Sequence, residues 1–278
     1  MDIKEYHKDK KIVSSTGLKQ AAISSRHFAY YLQNEQVSKP EFDFGNAFEL
    51  ALIDKVKGSN EFKQSCIILD ESKRPEQDKG INSKINQAWK KEILSSEKYV
   101  LSTDDKLHID NMVESCLADD VIKALLKFTE YQESFFWTCP ETGVNCKTRP
   151  DITKRKKNVI LDIKTTKDAS PKWFTRDIVN YDYPLQGFMQ MQGSVHSGFM
   201  PEVDEYFWLA VEKSEPYNAV IYRFKKEEWQ VVEDRYYFLL NRCKHVIDND
   251  LKWQEVPGYK ENADNKFGII DVDLPAYY

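Results

Sequence analysis

The 278-residue sequence contains no uninterrupted apolar run long enough to cross a bilayer, and its opening Met1-Asp2-Ile3-Lys4-Glu5 is charged where a secretory signal would be apolar. A soluble, cytoplasmic protein is expected. Cysteine is sparse: Cys66, Cys116, Cys139, Cys146 and Cys243 are odd in number and scattered, with no Cys-x-x-Cys pair. That spacing cannot build a zinc ribbon or a compact iron–sulfur cluster, so reduced structural thiols are expected. Cys139 and Cys146 are near enough to meet across a turn, but an intracellular setting disfavours a lasting disulfide. Internal repeats and low-complexity tracts are also missing. Nor is there an excess of positive charge, the net value being −5, so composition alone does not suggest a nucleic-acid partner.

What is present is enough apolar material for a large core, 41% hydrophobic and 13% aromatic. One α/β domain over 1–278 is expected: a mainly helical portion over 1–130, a catalytic sheet with its helices over 131–225, and a helix and tail over 226–278. Charge is distributed unevenly. Cys146 to Arg176 holds ten basic residues against three acids, a local +7 that leaves −12 for the rest. Such a stretch attracts a polyanion that the remaining surface repels, which suits a confined groove. Lys154 to Lys157 within it reads equally well as a solvated hairpin turn.

Ser14-Ser15-Thr16 before Leu18, Ala21, Ala22 and Phe28 predicts a capped amphipathic helix, and a second helix should follow Pro40. The body of that second helix, Gly45 to Val56, carries Glu49 on or beside an otherwise apolar surface. Helices are expected from Asn82 to Ser95 and from Thr103 to Leu117, with a polar excursion from Leu69 to Gly80 before them. Tyr131 to Thr138 reads as one strand, with Glu133 on the face of Tyr131, Phe135 and Trp137. Strands follow at Asn145 to Ile152 and Val159 to Thr165. Ser170-Pro171 starts a helix toward Val179, and another begins near Leu185 with Gln186 and Gln190 one turn apart. Strands at Glu205 to Val211 and Ala219 to Phe224, and a helix from Lys226 to Val246, complete the pattern.

The chemistry concentrates in Arg149-Pro150-Asp151 and Leu161-Asp162-Ile163-Lys164. If Val159 to Thr165 is a strand, Asp162 and Lys164 share one face while Leu161 and Ile163 enter the opposite layer. Phosphodiester cleavage needs a hard cation held by clustered carboxylates, a role that Asp151 and Asp162 fit, with the carbonyl of Ile163 as a further ligand. Lys164 is placed to orient or deprotonate the attacking water and to offset charge on the phosphorane. Glu133 would supply a third carboxylate from an adjacent strand. Acids near a turn on the wet face of an ordinary hairpin give the same short pattern. The buried-strand character of Val159-Ile160-Leu161 argues otherwise, because burying Asp162 and Lys164 is costly unless they pair or bind something.

These segments resemble the PD-(D/E)xK nuclease superfamily, and within it the exonuclease VIII or RecE-like nucleases of phage recombination. The resemblance runs from Ser14-Ser15-Thr16-Gly17-Leu18 through Phe44-Gly45-Asn46-Ala47-Phe48-Glu49, Glu133-Ser134-Phe135-Phe136-Trp137 and Cys146-Lys147-Thr148-Arg149-Pro150-Asp151. It continues through Leu161 to Ser170 and reaches Leu274-Pro275-Ala276. It implies a restriction-endonuclease-like core: a central mixed sheet of about five strands flanked by helices, with a helical N-terminal elaboration. It also implies a Mg²⁺- or Mn²⁺-dependent exonuclease that digests linear duplex DNA from the 5′ end. Members expose a 3′ strand for a single-strand annealing protein and form closed rings around DNA. Gln186 falls on the glutamine of the family's Gln-x-x-x-Tyr motif. Two positions depart from the pattern. Glu49 stands where a metal-binding histidine is usual, which makes the ligand set Glu49, Asp151, Asp162 and the Ile163 carbonyl all oxygen. Gln190 stands where the tyrosine is usual.

Expected DNA contacts are Arg26, Lys147, Arg149, Thr165, Lys167 and Gln190, with Trp137, Trp173 and Phe174 as candidates for stacking on DNA ends. Ordinary surface or core roles account for Arg26, Gln190, the aromatics and the scattered histidines equally simply. Two other readings stand beside the exonuclease. One is a nuclease of other polarity or endonucleolytic action, like those of CRISPR adaptation, whose iron–sulfur cysteines this chain lacks. The other is an inactive DNA-binding or assembly protein.

Overall fold

The computed structural model describes residues 6, 8–35, 40–96 and 98–262, so the Leu274-Pro275-Ala276 match lies outside the described residues. The first half is helical, as its periodicity predicts: α1 (Ser15–Ile23), α2 (Ser25–Gln33), α3 (Pro40–Lys57) and α4 (Glu61–Ser65). The single helix expected from Ser14 past Phe28 is two. Ser24 adopts extended backbone, closes α1, and caps α2 by accepting from the amide of His27. A parallel ribbon of β1 (Cys66–Leu69) and β2 (Tyr99–Ser102), which the sequence pattern does not signal, encloses α5 (Lys84–Leu94). Next come α6 (Thr103–Ala118), whose Ser102 and Asp105 form a reciprocal capping box, and α7 (Asp120–Leu126).

The expected strand from Tyr131 to Thr138 is broken. Gln132 takes a left-handed backbone, φ 53°, between β3 (Glu130–Tyr131) and β4 (Phe135–Thr138). The halves join different sheets: β4 pairs with β5 (Asn145–Thr148) in a hairpin, whereas β3 pairs with β6 (Ile152–Lys154). The expected strand Asn145 to Ile152 likewise divides at Arg149-Pro150-Asp151, where Pro150 has no amide to give a ladder.

The central sheet has the order β3-β6-β7-β8-β9, formed with β7 (Val159–Thr166), β8 (Glu205–Glu212) and β9 (Ala219–Arg223). Only β7 and β8 in it run parallel, joined by the crossover helices α8 (Pro171–Asn180) and α9 (Tyr183–His196), so the sheet is mixed, as expected. Alternation along β7 sorts two layers. Leu161 and Ile163 pack with Leu209, Val211 and α3, α6 and α7 on one face. Ile160 packs with Phe174, Tyr206 and Trp208 on the other.

A third core joins α1, α2, the β4–β5 hairpin, α9 and α10 (Trp229–Asp248). Gly193 makes that junction possible, because a Cβ there would lie 2.4 Å from Cγ2 of Thr148 and 2.7 Å from the Trp137 ring. Cys139, Cys146 and Cys243 are free thiols in this core. Burial pushes the Cys146 thiol up to about 12, so it is neutral and unreactive there. No helix among the described residues is long and apolar enough to cross a membrane.

Candidate active site

The site forms where β6 and β7 part. Their register stops at Ile152 opposite Leu161, and the next amide along that edge of β7, Ile163, donates instead to Oδ2 of Asp151 at 2.7 Å. The Asp151 side chain thus replaces a missing strand. Asp162, on the α9 face of β7, is fully buried, and its Oδ1 accepts from the amides of Gln186 at 3.0 Å and Gln190 at 3.2 Å. Its Oδ2 pairs with the ammonium of Lys164. Both glutamines project from α9 because they are one helical turn apart.

Glu49 arrives from α3, anchored by Phe48 and Leu52 in the core beneath the sheet, and its Oε1 accepts from Nε2 of Gln132 at 2.7 Å. Burial pushes the Glu49 carboxyl up to about 6; the Gln132 hydrogen bond works against that rise and the charge of Asp162 adds to it. Burial, then Glu49 and Asp162, hold Asp151 well above the ordinary carboxylate value. Burial opposes the charge on Lys164, but Asp162 and Asp151 outweigh it and raise its pKa. Three acids therefore act on one another around one lysine.

The site opens into a cavity of 360 Å³ lined by Glu49, Asp151, Gln186, Gln190, Arg149, Gln132 and the start of α1 at Ser14 to Thr16. Arg149 donates from Nη2 to Gln132 at 3.0 Å, while its buried Nε and Nη1 have no hydrogen-bond partner among the described residues. Unused guanidinium donors beside a helix N-terminus make this end of the cavity receptive to an anion.

Among the described residues, no three His, Cys, Asp or Glu side chains close into a ready metal cage. The hydrogen bonds above explain why: each carboxylate is turned toward a protein partner. The donor type nonetheless fits a hard divalent cation, since all the candidates are oxygens. Glu49 and Asp151, raised first by burial and then by neighbouring carboxylate charge, would also be relieved by a cation. Glu49, Asp151 and Asp162 are the side chains that would hold it, with the carbonyl of Ile163 available on the same strand.

Several expected site residues stand elsewhere. Glu133 is exposed and absent from the cavity, because the left-handed turn at Gln132 interrupts the alternation that would have carried it inward. Gln132 takes its place. Lys147 is buried and its ammonium donates to the carbonyls of Tyr6 and Asp9, so it secures the N-terminal segment instead of facing a ligand. Nε of Arg26 donates to the Val256 carbonyl at 2.6 Å, away from the cavity. Gln190 is neither a solvent-facing residue nor an exposed DNA contact: it is buried between Asp162 and the hydroxyl of Tyr206, which donates to its Oε1 at 2.6 Å. Thr165 lies beside Gly45 of α3, and Lys167 is exposed. Trp137 and Phe174 are buried, whereas Trp173 is 45% exposed beneath the Arg176 guanidinium.

Sequence reasoning missed Gln132, Tyr206 and Lys19, whose Nζ donates to Oε1 of Gln186 at 3.0 Å. Lys19 alone had a signal. It lies one helical turn from Ser15, immediately after the matched Leu18.

Among solved structures, the chain is similar to a candidate exonuclease from Eubacterium rectale, at 12% identity over 99% of this chain and 96% of that one, with a TM-score of 0.62. That likeness shows a shared fold. The structure of SSO0001 aligns at 16% identity over 74% of this chain and 88% of its own, with a TM-score of 0.27, too low to carry an argument. No curated protein matches the sequence. The helix–sheet architecture and the Asp151, Asp162 and Lys164 constellation agree with the match over residues 14–264, and the chain belongs to the family of the PDDEXK-like domain of unknown function (DUF3799).

Proposed function

We propose that the protein is a metal-dependent exonuclease that degrades linear duplex DNA from the 5′ end and exposes 3′ single strands for recombination by annealing. The observation that carries this reading is the meeting of Asp151, Asp162 and Lys164 with Glu49 and Gln186 at the opening between β6 and β7. Mg²⁺ or Mn²⁺, when bound by the carboxylates, would neutralise the phosphate and activate water. Lys164, kept charged by Asp162 and Asp151, orients that water and offsets the charge of the phosphorane. Gln186 and Gln190 fix the Asp162 carboxylate for its ligand role, and Arg149 offers its free donors to a phosphate of the strand. A closed ring around DNA and a single-strand annealing protein as partner complete the proposal. Its support is the likeness of motifs from Ser14 to Ser170.

The test is incubation with Mg²⁺ and either linear or covalently closed duplex, using wild type and Lys164→Ala. Stepwise loss of the linear form alone, abolished by the substitution, is the expected result. Cutting of the closed circle would replace exonuclease with endonuclease, and inertness on both would favour an inactive DNA-binding protein. Comparison of 5′-labelled with 3′-labelled duplex fixes the polarity.

A further inference from the structure

Lys19 is a second lysine at the site, and among the described residues no acid meets its charge at close range. Its hydrogen-bond partner among them is the neutral amide of Gln186, at 3.0 Å. Its Nζ lies 5.5 Å from the centre of the Tyr183 ring, and Nζ of Lys164 lies 4.9 Å from the same ring. The two ammoniums differ in one respect: Lys164 is paired with Asp162, whereas Lys19 is not. Burial first, and then the charge of Lys164, draw the Lys19 pKa down to about 8, with Asp162 and Asp182 offsetting only part of the effect.

A partly buried ammonium whose hydrogen-bond partner among the described residues is one neutral amide, and whose charge Asp162 and Asp182 offset only in part, is in an arrangement that is costly until an anion completes it. A purely structural lysine at this position would need only its stem against Tyr183. The anion's identity follows from position. Gln186 connects Lys19 on one side to Oδ1 of Asp162 on the other, so the ammonium is one side chain removed from the carboxylates that face the scissile phosphate.

We propose that Lys19 binds a non-bridging oxygen of a backbone phosphate in the DNA strand being cut, beside Gln186. This rests on the nuclease reading. It adds to it a cation from α1, whose Ser15 and Thr16 line the cavity and whose Lys19 reaches it through Gln186.

Lys19→Met keeps the stem over Tyr183 and removes the charge, while Lys19→Arg keeps the charge. Binding of a linear duplex is measured with Ca²⁺ replacing Mg²⁺, across a salt series and with single methylphosphonate linkages placed along the strand near its end. For wild type, one linkage position is expected to weaken binding several-fold. Lys19→Met should lose sensitivity at that position alone, and its slope of log K against log salt should be shallower by about one unit. Lys19→Arg should restore both. An unchanged slope and linkage profile in a Lys19→Met protein with wild-type melting behaviour would overturn the inference while leaving the nuclease reading intact. If Lys19→Met does not fold, Lys19→Arg decides alone: loss of the linkage effect in a folded Arg variant that binds otherwise normally also overturns it. A wild-type protein that binds no DNA overturns both.

Discussion

Gln190 and Asp162 are joined by a buried hydrogen bond of 3.2 Å, and the same glutamine accepts the Tyr206 hydroxyl on its other side. This relay aims one carboxylate oxygen from behind the site. Replacing Gln190 by Leu should leave Tyr206 without its acceptor and Asp162 with one amide donor. The expected cost is about 1–3 kcal/mol of stability in chemical denaturation. Beyond that, kcat should fall with little change in KM, since Gln190 acts through Asp162. A drop confined to KM would assign Gln190 to substrate contact.

Lys164→Ala removes the cation and leaves the three acids in place, with Asp162 losing its ion-pair partner but keeping the Gln186 and Gln190 hydrogen bonds. DNA hydrolysis should fall by about 100-fold or more, the scale of losing one preorganised charge-stabilising group. Duplex binding in Ca²⁺ should survive, measured by anisotropy. Retention of hydrolysis above roughly a tenth of the wild-type rate, on the same order-of-magnitude argument, would move the chemistry to another residue.

Glu49 titrates about where metal-free stability should respond. Its folded pKa is raised from 4.5 to about 6, so the folded state holds this proton more firmly than the unfolded chain does. Its contribution is therefore fully present below 4.5 and is lost as pH rises through about 6. In chelator, the wild-type melting temperature should decline across that window relative to Glu49→Gln by roughly 2 to 4 °C. A divalent cation that binds the site should shrink the difference. Parallel curves for the two proteins would show that Glu49 ionises freely.

Lys147 offers the opposite kind of test. Because its ammonium is used on the Tyr6 and Asp9 carbonyls, Lys147→Met should cost about 1–3 kcal/mol and leave the salt dependence of DNA binding unchanged in the folded protein. A shallower salt slope would restore it to the DNA surface.

β7 is legible in the sequence, because the apolar run Val159-Ile160-Leu161 followed by alternation through Lys164 puts Asp162 and Lys164 on one face and Leu161 and Ile163 on the other. The Pro171 helix start is legible for a similar reason, since the chemistry that makes it is local. Glu133 departs from its expected place because one glutamine adopts a left-handed backbone, a conformation its side chain does not announce. Lys147 departs because charge counting along a chain cannot tell a lysine in water from one capping distant carbonyls. The role of Gln190 depends on Tyr206, sixteen residues on and in another element. Asp151 illustrates both sides: its type and spacing suggest the chemistry, while its bond to the Ile163 amide requires the fold.

Position 193 holds no functional group, yet the alignment of Asp162 depends on what is missing there. The α9 backbone sits against Thr148 and Trp137 at a separation that only hydrogen permits. Any side chain would lever the helix off the hairpin, and Gln186 and Gln190 would travel with it, up to two turns away. The precision of the carboxylate is thus set by a contact further along the same face of the helix, against a hairpin whose Thr148 also lines the cavity.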